Sequence, residues 1–279
     1  MKIIKNQTFD EERSLYSLKN SEVRECIFEG ENDGESALKE ARNIKVDKCR
    51  FSLRYPLWHV HHFHIKDSIF KDTSRAPLWY SSKGEISNIK IYSVKALREC
   101  DDINIVNSEF ISQEFGWKCR NIGVLDSFIE SEYVFFESKK LNIDRLKLNG
   151  KYSFQYVKDV EITNSELNTK DAFWHSKNVV VRNSVINGEY LGWYSNGLTL
   201  INCKIKGTQP LCYCKNLKLI NCEMINCDLA FEYSDVEADI IGHIDSIKNP
   251  RSGVIRAGSV GEIIKSDSIM KSTCEILIK

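Results

Sequence analysis

Two neighbouring columns of residues, recurring at a step of nineteen over most of their length, hold the groups in this 279-residue sequence best suited to chemistry. The first reads Trp58, Trp79, Arg98, Trp117, Phe136, Gln155, Trp174, Trp193, Cys212 and Phe231. Beside it run His59, Tyr80, Glu99, Lys118, Glu137, Tyr156, His175, Tyr194, Tyr213 and Glu232. Aromatic faces cover the apolar faces of pyranose rings, and polar tips bond their hydroxyls. On this reading Trp117, Lys118, Glu137, Trp174, Trp193, Tyr213 and Glu232 bind an oligosaccharide. Tyr156, His175 and Tyr194, one repeat apart, are the candidate catalytic groups, an acid and a base within hydrogen-bonding range. No two carboxylates stand in adjacent repeats beside His175, which disfavours the two-carboxylate glycosidase scheme. The competing reading is structural: strand alternation sends one of the two columns inward, where stacked aromatics fill a core and Tyr or His finds a buried partner.

Other motifs are weaker. The run His59-Val60-His61-His62-Phe63-His64 offers imidazoles, but alternation divides them between faces, and no Cys or carboxylate completes a metal-ligand spacing. Cys212, Cys214 and Cys227 are a fainter metal signal still. No phosphate loop, dinucleotide fingerprint or nucleophile elbow is present. The expectation is therefore no metal and no cofactor.

The elements that would position the two columns follow from the repeat. Stepping by nineteen from Ile103 meets Ile122, Leu141, Val160, Val179, Leu198, Leu217 and Val236, all aliphatic. A second column runs Phe110, Ile129, Leu148, Leu167, Ile186, Ile205 and Met224. A unit this short cannot bury its apolar face alone, so the chain must coil and stack. Within each repeat apolar residues alternate, as in Val160-Glu161-Ile162-Thr163, which indicates strands. Polar corners are expected at Asn164, Asn183, Asn202 and Asn221, where stacked amides form a ladder, and at Asn121, Asp159, Asn178, Gly197 and Asn216. The pattern predicts an all-β, right-handed parallel β-helix of about twelve rungs over residues 1–236, each rung made of three short strands. Residues 237–279 are expected to form a C-terminal cap of the same domain.

Composition constrains the partners. Lys plus Arg equals Asp plus Glu at 39 each, which gives no basis for broad capture of nucleic acid or of an anionic membrane. Met1 to Asp10 carries no apolar stretch and no segment approaches membrane-spanning length, so a cytoplasmic protein is expected. Cys26, Cys49, Cys203 and Cys222 share a column with Ser68, Ser108, Ser127, Ser165 and Ser184, a small inward slot. Free, buried thiols in a reducing compartment are the expectation.

Several segments carry a family resemblance: Lys151-Tyr152-Ser153-Phe154-Gln155-Tyr156, Tyr190-Leu191-Gly192-Trp193-Tyr194-Ser195, Gln209-Pro210-Leu211-Cys212-Tyr213-Cys214, Ala230-Phe231-Glu232-Tyr233-Ser234-Asp235 and Ser246 to Gly253. The sequence resembles the bacterial domain of unknown function 3737 family over nearly its whole length. The resemblance implies a right-handed β-helix akin to the pectate-lyase superfold and brings no established catalytic residues. Fold kinship of that kind is analogy, since one fold hosts many functions. Two functions are carried forward: carbohydrate recognition or processing on the ladder, and a non-catalytic scaffold whose sheets bind a protein partner or another copy.

Overall fold

The computed structural model describes residues 1–279. It is all-β, without helices, and coils as a parallel β-solenoid of about 15 turns. The expected twelve falls short because parallel strands beyond residue 236, Ser252–Ala257 and Glu275–Ile278, continue the stack; turn length also varies. Bonds between neighbouring turns join residues 19 apart at Glu85 and Asn104, but 23 apart at Asn20 and Asn43, 21 apart at Asp67 and Asn88, and 17 apart at Asp235 and Ser252. A fixed step passes over the irregular turns. The chain divides into two compact units, Met1–Asn142 and Ile143–Lys279.

In the first unit the strands Arg42–Asp47, His61–Lys66, Ser82–Ser87, Asp101–Val106 and Arg120–Leu125 stack in parallel. Their register aligns Ile44, Phe63, Gly84, Ile103 and Ile122. Glycine is required at position 84, because a Cβ there would lie 2.1 Å from the ring of Phe63. A second inner column opens with three buried aromatic rings and continues as Ile91, Phe110 and Ile129. Phe28, Phe51 and Phe70 stack with centroids 4.5 and 4.6 Å apart and planes within 6°.

In the second unit Lys158–Thr163, Lys177–Arg182, Asn196–Ile201 and Leu217–Ile225 stack in the same way, setting Val160, Val179 and Leu198 one above another. Here the second inner column is aliphatic: Leu148, Leu167, Ile186, Ile205 and Met224. Burying a side chain of this size contributes about 1.5–3 kcal/mol, so each turn is held mainly by apolar area shared with the turns beside it. Residues 237–279 carry further parallel strands. Asp235–Ile241 pairs with Ser252–Ala257, which pairs with Glu275–Ile278, and His243–Lys248 pairs with Ser259–Ile264.

Corners are made by residues at positive φ. Asn164, Asn183, Asn202 and Asn221 lie at 51, 49, 52 and 53°, a region asparagine tolerates better than most side chains. Asn183, Asn202 and Asn221 each donate an Nδ2–H to the Oδ1 one turn earlier, over 3.5, 3.1 and 2.8 Å. Just past each corner a serine or cysteine turns inward. The Ser184 hydroxyl accepts the Ser165 N–H at 3.0 Å and donates to the Arg182 carbonyl at 2.7 Å. Cys203 and Cys222 fill the equivalent slot, with Sγ 3.4 and 3.3 Å from the carbonyls of Val181 and Leu200. All ten cysteines are free and nine are buried.

The third segment keeps the expected strand in some turns only. In the first unit Leu57–Trp58, Leu78–Trp79 and Leu97–Arg98 do form a three-stranded sheet. In the second unit the same segment is a turn, with Phe173 and His175 at φ 61 and 53°, and Leu211 and Tyr213 at 63 and 61°. Both candidate columns sit on this segment.

Candidate functional site

Consecutive side chains of an extended strand point to opposite faces, so one of two adjacent columns should enter the core. Positive φ on either side of Trp174 and of Trp193 breaks that rule. Phe173 is buried, Trp174 is half-buried and His175 is exposed; Gly192, Trp193 and Tyr194 repeat the order. At Trp174 and Trp193 neither column fills the interior, which holds Phe154 and Phe173 with rings 5.2 Å apart; the first column turns inward only at its end, where Cys212 and Phe231 are buried.

The tryptophans are committed to the fold. Trp174 and Trp193 stack 5.4 Å apart with planes within 4°. Their indole N–H groups donate to the carbonyls of Tyr190 and Gln209 in the next turn, at 2.7 and 2.8 Å. Tyr190 and Gln209 are themselves corner residues, at φ 59 and 47°, so each indole satisfies a carbonyl that the tight corner takes out of the ladder. Tyr213 closes on Trp193 edge-to-face at 5.3 Å and 70°. A sugar ring does not fit between rings this close. The open tryptophan platform expected from the sequence is replaced by faces that cover one another.

The exposed column of the second unit is a stack of plates. Centroids of Tyr156 and His175, His175 and Tyr194, and Tyr194 and Tyr213 lie 4.9, 5.0 and 4.8 Å apart, with planes within 9, 8 and 12°. Parallel rings turn their edges outward. The imidazole nitrogens and phenolic hydroxyls therefore lie along the surface rather than aiming at each other, which is not the acid-and-base geometry anticipated for Tyr156, His175 and Tyr194. Tyr156 and Tyr194 are 50% and 47% exposed. At the end of the row the Tyr213 hydroxyl donates to Glu232 at 3.4 Å, and Glu232 pairs with Lys248 at 3.0 Å. Burial, reinforced by the Glu232 charge, pushes the Tyr213 phenol up to about 12.

The first unit uses the same two columns differently. Trp58 and Trp79 stack at 5.2 Å and 3°, their indole N–H groups on the carbonyls of Ala76 and Lys95 at 2.8 Å. The Arg98 guanidinium sits between Trp79 and Trp117, at 5.0 and 5.7 Å from the ring centroids. Trp117 tilts 44° against Phe136, and its buried indole nitrogen makes no hydrogen bond. Outside it, Lys118 pairs with Glu137 at 3.7 Å, and Arg120 binds Asp101 through two nitrogens, one at 3.0 Å. The histidine run disperses: His59 stacks on Tyr80 at 5.0 Å, His61 bonds the Ser82 hydroxyl at 2.8 Å, and His62 and His64 are exposed.

One row was missed by sequence reasoning. Strand pairing aligns Lys158, Lys177, Asn196 and Lys215, all exposed, two residues beyond the rings of Tyr156, His175, Tyr194 and Tyr213. Lys158 lies 3.9 Å from Asp159. No carboxylate oxygen lies within 4.0 Å of the Lys177 or Lys215 ammonium. The same nineteen-residue step that revealed the aromatic columns carried this signal.

A family model described as a protein of unknown function (DUF3737) matches residues 2–278. No curated protein matches the sequence. Similar solved structures include PfbA, a surface adhesin of Streptococcus pneumoniae, with a TM-score of 0.48 and 10% identity over 94% of this chain and 82% of that one. The A-module of the Azotobacter vinelandii mannuronan C-5 epimerase AlgE4 scores 0.28 with 10% identity over 84% and 87%. The periplasmic alginate epimerase AlgG scores 0.28 with 9% identity over 94% and 77%. Likeness at this level carries no argument about site or activity.

Proposed function

We propose, from the premise that the chain belongs to the DUF3737 family of proteins of unknown function, that it recognises an extended carbohydrate chain along the ring ladder of its second unit. One observation carries this reading: Tyr156, His175 and Tyr194 present hydrogen-bonding edges outward in a row at a spacing of 4.9 to 5.0 Å, closed at one end by Tyr213. A regular open row suits a ligand that repeats along its own length, whereas a small sugar is better served by an enclosed cleft. Stacking holds the rings in place, each packed against its neighbour at 4.8 to 5.0 Å. Rings restrained by stacking have their edges ordered before a ligand arrives, so binding spends little entropy on arranging them. Phenol and imidazole edges both donate and accept, matching sugar hydroxyls. Parallel plates that point outward support binding rather than a reaction among these groups.

The test is a polysaccharide array with the intact protein, followed by Tyr194→Phe and His175→Phe, which keep the stacked rings and remove the polar edges. A polymer should bind, and each substitution should weaken it about 2–10-fold, the size of one net hydrogen bond, without lowering the melting temperature. An empty array, or full affinity in both variants, sinks the reading.

A further inference from the structure

We infer that the carbohydrate taken by this ladder is acidic, a polysaccharide whose sugar units bear carboxylates, with Lys158, Lys177 and Lys215 as the cationic rail beside the rings. The inference rests on the carbohydrate reading above and adds the charge of the ligand.

The argument begins with register. Lys158 and Lys177 are directly paired on adjacent parallel strands, Lys177 pairs with Asn196, and Asn196 bridges to Lys215. Like charges opposed across a sheet destabilise it. In the first unit the corresponding pair is Asp101 and Arg120, which neutralise each other. In the second, the neighbouring acids are engaged elsewhere. Asp235, which feels the charge of Lys215, is held by Arg251 at 2.6 Å and Ser252 at 2.6 Å. Glu232 pairs with Lys248, and Glu189 with Lys170 at 2.7 Å. Asp159 touches Lys158 at 3.9 Å and also accepts from Asn178 at 3.0 Å, which leaves Lys177 and Lys215 without an ion pair.

The rail and the ladder run side by side with one step per turn, so a chain laid on the rings meets an ammonium at intervals of about 4.8 Å, interrupted at Asn196. A neutral glycan would leave the ammonium groups of Lys177 and Lys215 uncompensated. A polymer with regularly placed carboxylates neutralises them while its hydroxyls bond the ring edges.

Binding is measured to polygalacturonate and to hyaluronan, each beside its carboxyl-reduced neutral form, at low and high salt. The acidic forms should bind, their reduced forms should bind about 10-fold more weakly or less, and salt should erase most of the difference. Lys177→Gln and Lys215→Gln should each weaken acidic binding about 2–5-fold and flatten its salt dependence, with the melting temperature unchanged or raised. Equal binding of acidic and reduced forms, or a ligand found only among neutral polymers, overturns the inference and leaves the carbohydrate reading intact. Binding to no polysaccharide at all overturns both.

Discussion

In Met1–Asn142 several outward groups pair with one another: Arg98 is held between two indoles, Lys118 meets Glu137 and Arg120 meets Asp101, although Lys139 beside Arg120 stands exposed. In Ile143–Lys279 the same places hold four parallel rings and a row of lysines, two of them without ion pairs. The backbone position is the same in both units, with His59, Tyr80, Glu99 and Lys118 at φ 57, 56, 49 and 53° just as His175 and Tyr194 are. What differs is whether charged groups in adjacent turns neutralise one another, as Arg120 and Asp101 do, or stand without an ion pair, as Lys177 and Lys215 do. A solenoid places like positions side by side, and residue type then decides whether a row is cement or a docking surface.

The contrast can be broken most forcefully from below. Phe173→Ala removes the buried ring on which Trp174 and His175 are carried, and should cost about 3–5 kcal/mol in urea denaturation and abolish glycan binding with it. Next in size is Arg98→Met. Losing the cation between Trp79 and Trp117 should cost about 1–2 kcal/mol yet leave polysaccharide affinity untouched. A fall in affinity matching that of Tyr194→Phe would erase the distinction between the two ladders.

The smallest effect is a titration. The Tyr213 phenol is raised from 10.0 to about 12, so between these values the unfolded chain has shed a proton that the folded chain keeps. Its stabilising contribution is complete below pH 10 and is lost as pH rises through that window. Urea midpoints on either side of the window should fall for the native protein and fall less for Tyr213→Phe; identical slopes would remove burial and Glu232 as the cause.

Much of this molecule is legible in its residues, though unevenly. The alignment of Val160, Val179 and Leu198, the asparagine corners and the thiol slot all follow from the repeat, because identical apolar and small positions must meet when a coil stacks. The turn count was harder, since the strands after Asp235 leave the nineteen-residue step, at 17 residues from Asp235 to Ser252, and yet continue the stack. The lysine row was visible in principle and passed over, because exposed lysines are ordinary until their register is known.

The direction of Trp174 and His175 lay beyond the sequence pattern. Alternation assigns them opposite faces, and only the left-handed conformations of Phe173 and His175 turn both outward. Whether aromatic faces are free is likewise a matter of spacing between turns: the sequence lists the rings, but their separation of about one strand spacing decides that edges, not faces, meet solvent. Periodicity is a property of composition along the chain and survives without coordinates. Orientation depends on backbone angles set by packing from neighbouring turns, so it is decided only when the coil closes.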